Sequence, residues 1–268
     1  MRSMELESRK VLSITLRPRP AAVEAEDEVA VDEPTCIFLN GEYHVTLIAT
    51  PTMKKELALG YLHSEGVIDS MEDIRTIRLR GNDVLLELGG DVDVREAAVD
   101  MMNIVVTACG SRPRGTAPPK APPKVESPLR IEADKVLGMI RDLNGRSHVH
   151  RRTGGTHAAM LCSGEGKTLA FAEDVGRHNA VDKVIGSMLL AGMDPAQCVL
   201  ISSGRQSGEM VQKVAQAGIP IVASMAVPLT SGIRLAEMSG VTLVHFGRGR
   251  LQVYSHPQRL RVDSTLGS

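Results

Sequence analysis

The chain has 268 residues, room for one large domain or two modest ones, and its 43% hydrophobic and 24% charged residues are those of an ordinary globular protein, which disfavours disordered and fibrous classes. Aromatic residues are scarce, with no Trp, three Phe and three Tyr, so the core must be aliphatic and base-stacking platforms for single-stranded nucleic acid are not expected. A net charge of -1 supplies no broad positive field for wrapping nucleic acid.

No apolar stretch reaches the ~20 residues needed to cross a bilayer, and residues 1–10 are too charged for a signal peptide. A cytoplasmic protein without membrane or nucleic-acid partners is therefore expected. Cys36, Cys109, Cys162 and Cys198 are far apart and form no CxxC pair, so free thiols are expected rather than a disulfide framework or zinc ribbon. His157 with Cys162, or His148 with His150, is too incomplete a ligand set for a metal site, and none is assigned.

After a charged lead and the acidic run 24–28, the first elements are strands at 35–39 and 43–49. Asn40-Gly41 joins them as a tight hairpin turn. Thr50-Pro51 opens a helix with Leu57, Ala58, Tyr61 and Leu62 at helical spacing, ended by Gly66. A second hairpin spans 74–88 around Gly81-Asn82, and 91–103 fits either strand or helix. An apolar strand at 104–107 leads to Cys109-Gly110. Six prolines between Pro113 and Pro128 prevent regular structure there. Beyond them, helices at 132–143 (stopped by Asn144-Gly145), 179–190, 207–217 and 229–238 alternate with apolar strands at 157–162, 168–172, 198–201, 219–224 and 241–246. Continuous apolar strands imply a sheet covered on both faces. The predicted fold is α/β: a small N-terminal α+β domain (1–112), a Pro-rich mobile linker (113–130) and a C-terminal three-layer α/β/α domain (131–268) that binds a nucleotide or cofactor.

Ligands of open α/β sheets gather beyond the carboxyl ends of the strands. Ser203, Gly204 and Arg205 follow one such end, with hydroxyl, amide and guanidinium groups suited to phosphate oxygens. Ser224 ends the next strand, and Phe246, Gly247, Arg248, Gly249 and Arg250 end the last. A single Ser-Gly-Arg turn is more often only a turn; three such loops at equivalent positions favour a phosphorylated ligand. The segment Glu173-Asp174-Val175-Gly176-Arg177-His178-Asn179 places acids, a cation, an imidazole and an amide before a helix. Asp174 or Asn179 alone would suffice as a cap, but capping does not require Arg177 and His178. His157 starts a strand after a glycine loop, with structure and function evenly balanced.

Cys109 is the best nucleophile, because Arg112 and Arg114 beside it favour the reactive thiolate. The other three cysteines lie in apolar strand patterns, where the residue behaves as a small hydrophobe. Three functions follow: a sulfur carrier on Cys109, a non-catalytic cofactor-binding chaperone, and a cysteine hydrolase pairing Cys109 with His157 or His178, which needs the base within hydrogen-bond reach.

The strings Thr153-Gly154-Gly155-Thr156-His157-Ala158-Ala159, Glu173 to Ala180 with Asp182-Lys183, Ser203-Gly204-Arg205 with Glu209-Met210-Val211, and Gly218-Ile219-Pro220-Ile221 occur in this order. So do Thr50-Pro51, Gly60-Tyr61-Leu62 and Glu65-Gly66. Together they resemble the formate dehydrogenase accessory sulfurtransferase family, FdhD, across about residues 11–254. The resemblance implies a C-terminal domain similar in fold to cytidine deaminases. It implies a carrier that takes sulfur from a cysteine desulfurase as a persulfide on Cys109 and passes it to the bis(molybdopterin guanine dinucleotide) cofactor for formate dehydrogenase. GDP would then be a partial analogue of the ligand, Phe246 to Leu251 would belong to the cofactor-binding segment, and a homodimer is compatible. Many relatives carry CxxC where this chain has Cys109-Gly110-Ser111-Arg112, so any transfer runs through Cys109 alone.

Overall fold

The computed structural model describes residues 4–89 and 123–262. Cys109, Arg112, Arg114, the strand expected at 104–107 and most of the Pro-rich stretch lie outside the described residues.

The charged lead and acidic run, expected to precede the first elements, pair as a ribbon of β1 (Leu6–Thr15) and β2 (Ala21–Ala30). Next come β3 (Glu33–Leu39), β4 (Glu42–Ala49), α1 (Lys54–Ser64), β5 (Ile74–Arg80) and β6 (Asp83–Leu88), with the strands forming a sheet of order β4-β3-β6-β5. Asn40 and Gly41 both take positive φ (50° and 85°), the turn that their identity predicts. The strands bury alternate residues, the pattern of a sheet covered on one face. The cover is α1, whose Leu57, Leu59 and Leu62 are fully buried, each contributing roughly 2 kcal/mol. The helix starts at Lys54, later than Thr50-Pro51 suggests, because Met53 sits in the left-handed region (φ 56°) and Thr50 is bound elsewhere.

The second half contains β7 (Ile131–Glu132), α2 (Ala133–Arg146), α3 (His148–Thr153), β8 (His157–Ser163), β9 (Thr168–Asp174), α4 (Arg177–Leu190), β10 (Cys198–Ser202), α5 (Gly208–Gln216), β11 (Ile221–Ser224), α6 (Thr230–Ser239), β12 (Thr242–Gly247), β13 (Arg250–Val253) and β14 (Leu260–Arg261). Six of these strands form one sheet of order β13-β12-β11-β10-β8-β9, and β14 pairs with β7. On one face α4, α5 and α6 pack on Ala159, Leu161, Leu200, Val222 and Leu243. On the other, α2 packs on Met160, Cys162, Val199, Ile201 and Val244. The sheet is therefore the middle of three layers, and β10 and β11 are buried along their whole length.

Two local signals are overridden. Asn144-Gly145 does not stop α2, because Arg151 from the next helix donates to the carbonyls of both residues and Ser147 Oγ donates to Leu143 O, satisfying the helix end one turn later. The tail of the expected mobile linker is packed: Val125 and Leu129 are buried, Val125 N donates to Ser239 O, and Ser127 Oγ donates to Ala196 O.

The halves meet through α1 and α4. A Cβ on Gly60 would overlap the Asp182 carbonyl, and one on Gly186 would overlap that of Glu56, so two reciprocal glycines let the helix backbones touch. Below this crossing Lys213 lies 3.0 Å from Asp182 and 3.6 Å from Glu65, with Ser64 Oγ donating to Asp182. Burial lifts the Asp182 carboxyl above its ordinary value against the pull of Lys213. Burial alone would lower Lys213, but Asp182 and Glu65 outweigh it and raise its pKa.

Candidate functional site

Strand polarity makes one edge of the six-stranded sheet a collecting point. β9, β10, β11 and β12 run in the same direction and finish at Asp174, Ser202, Ser224 and Gly247, while the antiparallel β8 and β13 begin there with His157 and Arg250.

The loop after β10 is the centre of this edge. Ser203 N donates to Ala158 O and its Oγ accepts from Ala158 N, both at 2.9 Å, with His157 Nδ1 at 3.3 Å from the same hydroxyl. A Cβ on Gly204 would lie 2.8 Å from Arg177 Cβ and 3.2 Å from its Cδ, so the Arg177 side chain lies against the glycine, next in sequence to the exposed Arg205. His157 has its pKa lowered by burial and by Arg177, His150 and Arg205. His178 is pushed down to about 3 by burial, Lys213, Arg177 and His157. At 3.7 Å from Glu209 this neutral ring is not an ion pair. Two neutral imidazoles beneath several cations make an edge that favours an incoming anion. Four atoms here, Arg177 Nε, His178 Nε2, Gln206 Oε1 and Ser207 Oγ, are buried without a hydrogen-bond partner, an uncommon density for one locality.

Ser224 is placed among the expected ligand residues, but its hydroxyl is fully buried and bound on both sides. It donates to Gly204 O at 2.8 Å and accepts from Ala226 N at 3.0 Å, bracing the loop from beneath. His245 was not singled out from the sequence. It pairs in register with Ser224, its Nδ1 is 3.4 Å from Ser224 O, and its ring occupies the space a Cβ on Gly247 would need. A histidine interrupting the apolar run 241–246, two residues before a glycine, was the available signal.

The segment 246–251 is a hairpin rather than a strand end. Arg248 and Gly249 take positive φ (53° and 74°), turning β12 into β13. Phe246 and Leu251 pair across it and pack back onto the core, leaving Arg248, Gly249 and Arg250 exposed. Arg250 opens β13, three strands from β10, so a ligand touching both Arg205 and Arg250 must span on the order of 15 Å.

Asp174 and Asn179 face the other way. Asp174 Oδ2 pairs with Lys183 Nζ at 2.6 Å and accepts from Thr50 N at 3.1 Å, while Lys183 Nζ donates to Thr50 O. Asn179 Nδ2 donates to Ile48 O and to Asp174 Oδ1. Neither caps α4, whose N-cap is Gly176. Glu173 accepts from Val149 N, His150 N and Thr156 Oγ1, holding the start of α3. Most of the motif 173–183 therefore joins parts of the fold, and Arg177 and His178 are the members that take part in the edge.

Among the described cysteines, burial pushes Cys162 up to about 12 and Cys198 up to about 11, so neither supplies thiolate near neutrality. Cys36 is half-buried and its sulfur accepts from Thr46 Oγ1.

Residues 30–261 match the model of the FdhD/NarQ family. The chain belongs to the FdhD/NarQ family. It is 37% identical over 242 residues to the sulfur carrier protein FdhD of Bordetella parapertussis, covering 87% of each chain. It is 36% identical over 253 residues to the protein of that name from Thermoplasma acidophilum, covering 89% of this chain and 88% of the relative. A crystal structure described as that of a formate dehydrogenase accessory protein from Desulfotalea psychrophila superposes with a TM-score of 0.76 at 27% identity, covering 96% of this chain and all of the other. The FdhD/NarQ match thus takes in both main sheets and the whole edge, and begins where β2 ends. No helix among the described residues is long and apolar enough to cross a membrane.

Proposed function

We propose that this chain is a cytoplasmic sulfur carrier of formate dehydrogenase maturation. Cys109 takes sulfur from a cysteine desulfurase and gives it to the bis(molybdopterin guanine dinucleotide) cofactor held along the sheet edge. The observation that carries this reading is the convergence of Arg177, Gly204, Arg205 and His157 at one edge, with Arg248 and Arg250 on the neighbouring turn. Guanidinium groups bind phosphates bidentately, and two clusters about 15 Å apart suit an elongated ligand with several phosphates. The names of the relatives, sulfur carrier and formate dehydrogenase accessory protein, support the same assignment.

In the first step the Cys109 thiolate attacks the outer sulfur of the donor's persulfide. The donor's S–S bond breaks, its thiolate leaves, and Cys109 holds the sulfur. In delivery the Cys109 S–S bond would break with Cys109 keeping the bonding pair as thiolate, and the outer sulfur, at the sulfane level, would pass to the cofactor, whose own two-electron oxidation would bring it to the sulfide level. Arg205, Arg177 and Arg250 hold phosphate oxygens, and neutral His157 and His178 offer hydrogen bonds without adding charge.

Incubation with a cysteine desulfurase and cysteine, followed by intact-mass analysis, should add one sulfur to the wild type and none to Cys109→Ala. Equal labelling of both removes the carrier role. Calorimetry with GDP should show binding that weakens about tenfold or more in Arg205→Ala and in Arg250→Ala; absence of GDP binding removes the site. Formate dehydrogenase maturation that survives Cys109→Ala would make the chain a cofactor-sheltering chaperone, the reading that Arg112 in place of a second cysteine favours.

A further inference from the structure

β5 is an outer strand of the four-stranded sheet, and no strand pairs with its far side among the described residues. The direction of its main-chain groups follows from its neighbours. Leu86 O accepts from Asn40 N, so Leu86 turns its peptide groups toward the β3 side. Opposed residues of an antiparallel pair exchange both hydrogen bonds or neither, so Ile77, which opposes Leu86, points its N–H and C=O outward. Leu79, two residues on and opposite Val84, does the same. The register shift between Ile74 and Thr76 bulges the strand at one end only and leaves Thr76 to Arg80 in regular register.

Side chains along this edge alternate in kind. Ile77 and Leu79 share the face of Leu86 and Val84, which α1 covers, yet Leu79 is 48% exposed. Arg78 and Arg80 lie on the other face; they and Arg75 are exposed and have no ion pair or hydrogen bond among the described residues. β5 itself carries these cations and no acid, while Glu72 and Asp73 precede it. Its inner partner shows what such a strand accepts: β6 sets Asp83, Leu85 and Glu87 on the arginine face and Val84, Leu86 and Leu88 on the apolar one. Charge on an edge strand ordinarily blocks pairing. Here it selects: a second copy of β5 would set arginine against arginine, whereas an acidic strand is attracted.

We propose that the outer edge of β5 takes an extended segment of a partner protein as an added strand. The segment places acids beside Arg78 and Arg80 and aliphatic side chains beside Ile77 and Leu79, and the outward N–H and C=O groups of Ile77 and Leu79 supply the ladder hydrogen bonds. The proposal does not rest on the sulfur-carrier reading.

A short, end-blocked peptide of alternating glutamate and valine is the probe. Titrated into the full chain, it should slow amide hydrogen exchange at Ile77 and Leu79, read by NMR. Lysine in place of its glutamates should weaken binding about tenfold or more. N-methylation of all its valines, or of all its glutamates, should abolish binding in one case and spare it in the other, because only one set of peptide N–H groups faces β5. Leu79→Pro removes an outward N–H without breaking a β5–β6 bond and should abolish binding, and Arg78→Gln with Arg80→Gln should weaken it about tenfold or more. Unchanged exchange at Ile77 and Leu79, equal effects of the two N-methylated sets, or a lysine-valine peptide that binds as well would each overturn the proposal.

Discussion

Asp174 and Lys183 meet at 2.6 Å with no part of either side chain exposed, and Thr50 from the other half of the chain closes the contact through its N–H and carbonyl. The same threonine's hydroxyl accepts from Val175 N. One corner residue, just after β4, thus satisfies a buried ion pair more than 120 positions away. A pair of this kind is weak evidence of net stabilisation, because desolvation offsets the attraction, but removing one partner strands the other.

Lys183→Met should therefore cost about 3–5 kcal/mol, because it strips the buried Asp174 of its cation. Lys183→Met combined with Asp174→Leu should cost clearly less than Lys183→Met alone. Urea unfolding of the three proteins measures this; equal losses would show that the pair is not coupled.

The helix crossing makes a sterner demand. Gly60→Ala and Gly186→Ala each place a methyl group on a backbone carbonyl that cannot swing aside, so each should destabilise by about 3 kcal/mol or more. Gly41→Ala has open space but a positive φ of 85°, and should cost about 1 kcal/mol. Thermal melts of the three variants rank them.

Gly204→Ala acts on the candidate site instead. The new methyl would stand 2.8 Å from Arg177 Cβ and lift that side chain off the loop, so GDP affinity should fall about tenfold or more, roughly 1.4 kcal/mol. A Gly204→Ala protein that binds GDP like the wild type would mean that Arg177 does not need this seat.

Stability should decline as pH falls below neutrality. The unfolded chain takes up protons at histidine as pH passes 6.5, whereas folded His178 resists until about 3. Between these values the unfolded state holds more protons and gains on the folded state by up to about 1.4 kcal/mol per pH unit. His44, His63 and His157 are also lowered and act in the same direction. Unfolding midpoints at pH 7 and pH 5 should differ less in His178→Leu than in the wild type; an unchanged slope would exclude His178 as the source.

Much of the second half was legible because its signals are local. Apolar runs, turn glycines and polar loops sit where the alternation of strand and helix requires them, and the Asn40-Gly41 turn follows from two residues. What escaped depends on distant partners. Nothing near Asp174 or Asn179 reveals that Thr50 and Ile48 will meet them, so a motif that joins the halves reads like one that binds a ligand. The ribbon escaped because most of its residues remain exposed, which removes the alternation by which a half-buried strand is recognised. β13 escaped because four residues after an arginine-glycine turn carry too little pattern, and α3 because its start is held by Glu173, 24 residues from Val149.

The grip of Thr50 on the far motif also has a consequence for a broken chain. Residues 48, 50, 60 and 64 are fastened to residues 174, 179, 182 and 183 by hydrogen bonds and touching backbones, none of which relies on the peptide between 90 and 122. A protease nick within that stretch should yield two fragments that elute together from a sizing column and separate only in denaturant, so that severed material passes for intact protein in any assay run without unfolding it.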